Sequence, residues 1–145
     1  MKIQQLSLFM ENKPGHLKGI CKTLADAGIN IVTLSLADTQ QFGIVRLIVE
    51  EWEKAKAALE AAGLVVNVRE VVAATVPDKP GGIAEVLAVI DNAGVNIEYM
   101  YAFAFRHKNE AVLVFRFDDT DKARAALQSA GRCVLDFDTL FAEAK

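Results

Sequence analysis

The chain has 145 residues, 52% of them hydrophobic and 24% charged, a composition that fits a folded globular protein and not a disordered one. Its net charge of −3 comes without any Lys/Arg stripe, which removes the electrostatic footprint that nucleic-acid binding needs. No apolar run approaches the roughly 20 residues of a membrane-spanning helix, and Met1-Lys-Ile-Gln-Gln lacks the pattern of a secretion signal, so a cytoplasmic location is expected.

Ile3–Met10 is apolar and extended, and it stops at Glu-Asn-Lys-Pro-Gly. Pro14 suits a helix start, where its missing N–H costs nothing. Leu17, Ile20, Cys21, Leu24 and Ala27 then recur at three-and-four spacing, the mark of one apolar helix face, and Gly28 supplies the stop. Ile29–Ala37 and Gly43–Val49 read as strands joined through a turn at Thr39–Gly43. Trp52, Ala55, Leu59 and Ala62 mark a second helix face closed by Gly63, and Leu64–Val68 a final strand. The same order follows again: strand Val71–Val76, helix Pro80–Ala93, strands Val95–Phe105 and Ala111–Phe117, helix Thr120–Ala130 and strand Cys133–Leu135. Asp136–Ala144 adds a closing helix with no counterpart in the first half.

The recurrence is in the residues as well as the pattern. Positions 12–31 and 78–97 share seven identities in twenty, and Glu53–Gly63 and Asp121–Gly131 share seven in eleven. Two copies of a βαββαβ unit are therefore expected, with boundaries at 1–69 and 70–145. The fold class is α+β: two ferredoxin-like repeats packed side by side, antiparallel sheets with the helices on one face. A unit of about 70 residues is marginal alone because little of its surface can be buried, so the copies are expected to share a core, a sheet edge or both.

Chemistry of the catalytic kind finds little to work with. Cys21 and Cys133 fit neither a disulfide framework nor zinc-ligand spacing, and only two histidines, His16 and His107, are present. No nucleophile stands beside an evident base, and no glycine-rich phosphate loop occurs. Glu50-Glu51 and Asp118-Asp119 fall at helix starts, where they favour the dipole. Neither enzyme activity, cofactor nor metal is expected. Arg106, His107 and Lys108 read as a solvated hairpin tip. Alternation in Val95–Phe105 puts Val95, Ile97, Tyr99, Tyr101, Phe103 and Phe105 on one face and Met100 with Ala102 on the other. An apolar side chain on the face without helices marks an interface, and a homodimer is expected.

Asn12-Lys-Pro-Gly-His-Leu with Ala27-Gly-Ile-Asn-Ile, repeated as Asp78-Lys-Pro-Gly-Gly-Ile with Ala93-Gly-Val-Asn-Ile, resembles the ACT domain, and the resemblance covers nearly the whole chain as a tandem pair. It implies a regulatory module that binds an amino acid at the domain interface, against the first strand–helix loop, and acts allosterically. The alternative it leaves open is a subunit that steers an amino-acid-biosynthetic enzyme by protein contact, similar to the small subunit of acetolactate synthase. In serine-inhibited phosphoglycerate dehydrogenases the similar turn reads His-x-Asn-Arg-Pro-Gly, and its His and Asn, with the later Asn, bind the effector. Asn12 and Asn30 match two of those groups, while Met10 replaces the histidine; in the second copy only Asn96 matches, with Val76 and Asp78 at the other two places.

The binding set that the resemblance implies is Met10, Glu11, Asn12, Gly15, His16, Leu17 and Asn30 from the first copy, with Asp78, Gly81, Gly82, Ile83 and Asn96 from the second. Its physics is sound: a helix start favours a carboxylate, and glycine lets a ligand approach the backbone. Asn12 and Asp78 serve equally well as helix caps, and Asn30 and Asn96 as turn residues. The first loop is expected to dominate binding, with the second copy as the opposing wall. His16 points to a polar or aromatic ligand before an aliphatic one.

Overall fold

The computed structural model describes residues 2–37 and 40–145. Its elements are β1 (Ile3–Glu11), α1 (His16–Asp26), β2 (Thr33–Ala37), β3 (Phe42–Ile48), α2 (Trp52–Ala61), β4 (Asn67–Val76), α3 (Gly82–Asn92), β5 (Ile97–Ala102), β6 (Ala111–Phe117), α4 (Thr120–Ser129), β7 (Val134–Leu135) and α5 (Phe137–Glu143). The chain divides into two compact units: Gln4–Arg69, and Glu70–Lys145 together with Lys2 and Ile3. The fold is α+β, a ferredoxin-like strand and helix order run through twice.

In the first unit, β3 lies between β2 and β1, antiparallel to both. The register sets Leu6 opposite Leu47 and Leu8 opposite Val45, so one face of the sheet is continuously apolar. That face packs on Ile20 and Leu24 of α1 and on Ala55 and Leu59 of α2, all of them buried. Three-and-four spacing thus names the core face of both helices. Thr39, from the predicted turn, lies outside the described residues, and Phe42 and Gly43 already belong to β3.

The two strands expected at Leu64–Val68 and Val71–Val76 are in fact one, β4, and Leu64–Val66 is not strand. No glycine or proline interrupts Asn67–Val76, and β-branched valines carry the extended conformation straight through. In the second unit the strands run β7, β4, β6, β5, every neighbour antiparallel. Val72, Ala74, Phe115 and Phe117 meet Val86 and Ile90 of α3 and Ala123 and Leu127 of α4. The Phe115 and Phe117 rings stack with centroids 5.2 Å apart. Asp119 caps α4, its carboxylate accepting the Lys122 N–H at 3.1 Å.

Three expectations need correction here. A register shift between Ile97 and Tyr99 breaks the alternation of β5. Ile97 therefore packs with Met100 against the helical-side core, while Tyr99 and Tyr101, opposite Arg116 and Val114, face the other way. A bulge puts one extra residue in a strand and so reverses the faces beyond it. Second, the face turned away from α3 and α4 is not bare, because Val71, Ala73, Thr75, Val112 and Val114 on it are all buried. Leu34 and Leu36 are exposed, but their partners Leu47 and Val45 place them on the helical side, in an edge strand. Third, His107 is not solvated. It is buried, and its Nδ1 lies 2.5 Å from Glu143 Oε1 at the end of α5. The solvated tip is Lys108 and Asn109, both exposed and both at positive φ.

Candidate functional site

The strand–helix turn is built in the same way in both units. Lys13 N–H donates to Glu11 O at 2.9 Å and His16 N–H to Lys13 O at 3.2 Å; Lys79 N–H donates to Pro77 O and Gly82 N–H to Lys79 O, each at 3.0 Å. Gly15 and Gly81 then start the helices at φ 91 and 86, a conformation that costs a side-chain-bearing residue steric strain. Neither helix has a side-chain cap. Pro14 therefore precedes the helix instead of opening it, and Asn12 and Asp78 are not caps, because backbone bonds close the turn and the helix begins too far along.

Around the first of these turns lies a cavity of about 510 Å³, lined by Phe9, Met10 and Glu11 of β1, Gly15, His16, Gly19, Ile20 and Thr23 of the turn and α1, and Ala62 and Leu64 beyond α2. It falls where Leu64–Val66 does not continue as strand. At the matching place in the second unit, Thr75 N–H donates to Cys133 O at 2.9 Å and β7 pairs with Ala73 and Ala74, so that edge is occupied. The opening in one repeat and the pairing in the other follow from what comes after the second helix of each.

Glu11 is the charged group of the cavity. The hydrogen bond from Lys13 and the charge of its ammonium, with a smaller contribution from His16, hold its carboxyl below the usual glutamate range; Lys13 Nζ lies 2.9 Å away. The folded-state value is the lower one, so the stability this pair contributes is present above the unfolded value and is lost as pH falls through the folded value. An NMR titration of the Glu11 carboxyl is expected to give a depressed midpoint that moves back up in Lys13→Ala. An unshifted wild-type midpoint would remove the pair. His16 is exposed at the start of α1, whose first N–H groups have no carbonyl within the helix to bond.

Of the residues singled out in the sequence, Met10, Glu11, Gly15 and His16 come together here. Asn12 stands exposed in the turn with its N–H on Gln41 O at 2.9 Å; Leu17 packs on the core, and Asn30 is exposed outside the cavity lining. In the second unit the set divides. Arg106 forms an ion pair with Asp78, Gly81 starts α3, Ile83 is exposed, and Gly82 is buried so tightly that an added Cβ would lie 1.9 Å from Pro77 O. Asn96 lines a different cavity, of about 450 Å³, with Ala84, Leu87, Asp91 and Ile97 among its other walls. Its backbone exchanges hydrogen bonds with Asp118, the N–H reaching Oδ1 at 3.0 Å.

Sequence reasoning missed Phe9, Gly19, Ile20, Thr23, Ala62 and Leu64 as cavity residues. A signal for three of them existed: His16, Gly19, Ile20 and Thr23 recur at helical spacing and share a face. Among the described residues no three His, Cys, Asp or Glu side chains gather to hold a metal ion, and no helix is long and apolar enough to cross a membrane.

Comparison with known proteins bears on what this arrangement belongs to. No curated protein matches the chain. The crystal structure of protein BT0572 from Bacteroides thetaiotaomicron is 38% identical, with a TM-score of 0.88 over 97% of this chain and 96% of that one. The ligand-free regulatory subunit of aspartate kinase from Thermus thermophilus shares the fold at 18% identity, with a TM-score of 0.67 over 90% of this chain and 92% of the other. That of Thermus flavus does so at 17% and 0.63, over 90% and 94%. The model of the ACT domain pair family matches residues 1–136, a span that includes both strand–helix turns, and the chain belongs to that family.

Proposed function

We propose that this chain is a cytoplasmic, non-catalytic regulatory protein that binds a free amino acid in the cavity beside Glu11 and His16 and passes the occupancy on allosterically. The observation that carries the reading is the composition of that cavity: a carboxylate held ionised, an imidazole, the open start of α1, and an apolar floor from Met10, Ile20 and Leu64. A zwitterion meets each of these. Its α-carboxylate suits the positive end of the helix dipole, and its ammonium suits Glu11, whose exposed pairing with Lys13 is weak enough to exchange. A volume of about 510 Å³ is within the range of small-molecule sites.

We assign the ligand to the first repeat. In the second, Arg106 already neutralises Asp78, and Gly82 leaves no space at the place of His16. Phe9 and Phe42, both exposed and on one face of the first-unit sheet by register, support a homodimer.

A thermal-shift screen against the twenty amino acids at millimolar concentration tests the reading. One amino acid is expected to raise the melting temperature selectively, since binding only the native state stabilises it by about 2.7 kcal/mol at a hundred times Kd. Glu11→Gln is expected to reduce that affinity about tenfold or more, as a charge-assisted bond is lost, with little change in the unliganded melting temperature. A flat profile would overturn the proposal in favour of a subunit that acts through contact with a biosynthetic enzyme.

A further inference from the structure

We infer that the first-unit cavity takes an amino acid with an aromatic side chain, and that Gly19 is the residue whose missing side chain admits it. This rests on the reading of the cavity as the effector site. The polar groups of the cavity stand at one end, Glu11 and His16 beside the turn, and they suffice for the ammonium and carboxylate that every amino acid carries. What remains is the volume between α1 and the segment after α2, bounded by Gly19, Ile20, Thr23, Ala62 and Leu64. A serine-sized side chain leaves most of that volume empty, and an anionic one meets the carboxylate of Glu11. A large apolar group fills it.

Several of the lining groups gain more from a ring than from an alkyl chain. Met10 offers a thioether and His16 an imidazole. The Thr23 hydroxyl donates to Gly19 O at 2.9 Å, so towards the cavity it acts as an acceptor, suited to a phenol O–H or an indole N–H.

Gly19 is a mid-helix glycine at an ordinary helical φ, and a Cβ built on it meets nothing within 4 Å. Neither backbone strain nor core crowding therefore calls for glycine there, and an exposed helix is more stable with almost any other residue. The space that its absent side chain leaves is the cavity. The second repeat, where the matching edge is paired, carries Glu85 at this place.

Isothermal titration of the full chain with L-phenylalanine, L-leucine, L-serine and L-aspartate decides the matter, with Gly19→Ala and Ala62→Leu as the test variants. L-phenylalanine is expected to bind at least about tenfold more tightly than the other three, as one additional well-packed ring contact implies. Each variant is expected to lose about tenfold or more of that affinity while Gly19→Ala melts no lower than wild type. Equal or tighter binding of L-leucine, L-serine or L-aspartate overturns the aromatic assignment, and full affinity for L-phenylalanine in both variants overturns the role of this wall; either result leaves the effector reading standing. Binding of no amino acid at all overturns that reading and this inference with it.

Discussion

Gly82→Ala is expected to destabilise the chain by about 3 kcal/mol, lowering the melting temperature by roughly 10 °C, although the substitution puts the best helix former at a helical position. The added Cβ would sit 1.9 Å from the Pro77 carbonyl oxygen and 2.9 Å from its carbon. Both are backbone atoms, so no side-chain rotation relieves the contact. Withdrawing the carbonyl would break the turn, because Lys79 N–H donates to that same oxygen at 3.0 Å and Gly82 N–H to Lys79 O at 3.0 Å. Gly19→Ala is the internal control: the same chemical change, also within a helix, at a site with nothing within 4 Å. It is expected to stabilise by about 0.5–1 kcal/mol, the ordinary gain of alanine over glycine. Urea unfolding followed by circular dichroism measures both. Opposite signs are the expected result, and a neutral Gly82→Ala would mean that α3 does not approach Pro77 as closely as described.

The same contact explains a difference visible in the sequence whose cause was not. His16 and Gly82 occupy matching places in the repeat, and both stood in the binding set that the resemblance implies. Only packing reveals that position 82 has no room for a side chain. Local pattern carried the rest of the turn well: Pro-Gly ahead of an apolar helix face, and Gly-x-Asn-Ile after it, are set by backbone conformation and by helical periodicity, which neighbouring residues encode. β5 was misread for the opposite reason. Alternation is a local rule, and the register shift between Ile97 and Tyr99 is a property of its pairing with β6. Leu64–Val66 fails as strand through pairing as well, since these residues are as apolar as a strand needs. The cavity inherits that limit. His16, Gly19, Ile20 and Thr23 share a face by spacing alone, yet whether that face meets core or an opening depends on Ala62 and Leu64, about forty positions away in the chain.

Leu140→Ala is expected to cost about 2–5 kcal/mol, the range for removing a fully buried leucine side chain and leaving its cavity. The closing helix was legible as a helix, and Asp136 caps it by accepting the Thr139 N–H at 2.8 Å, a bond that also holds the Asp136 carboxyl below its usual range. Its attachment was not legible. Leu140 is 0% and Phe141 2% exposed, yet both stand outside the core between the second-unit sheet and α3 and α4. The sheet face turned away from those helices is equally buried, and the buried apolar residues of α5 are expected to cover it. Glu143 then ties the end of the helix to His107, 2.5 Å away in the turn between β5 and β6. Cooperative docking of this kind means that a cavity at Leu140 weakens the unit and not α5 alone. Glu143→Gln is the milder companion: the amide still bonds the imidazole, so about 1 kcal/mol or less is expected. Hydrogen exchange separates the alternatives. Loss of protection in β4 and β6 together with α5, and a lower urea midpoint, is the expected outcome for Leu140→Ala. Fraying of α5 with an unchanged midpoint would make the helix an appendage, and the burial of Val71, Ala73, Val112 and Val114 would then have another source.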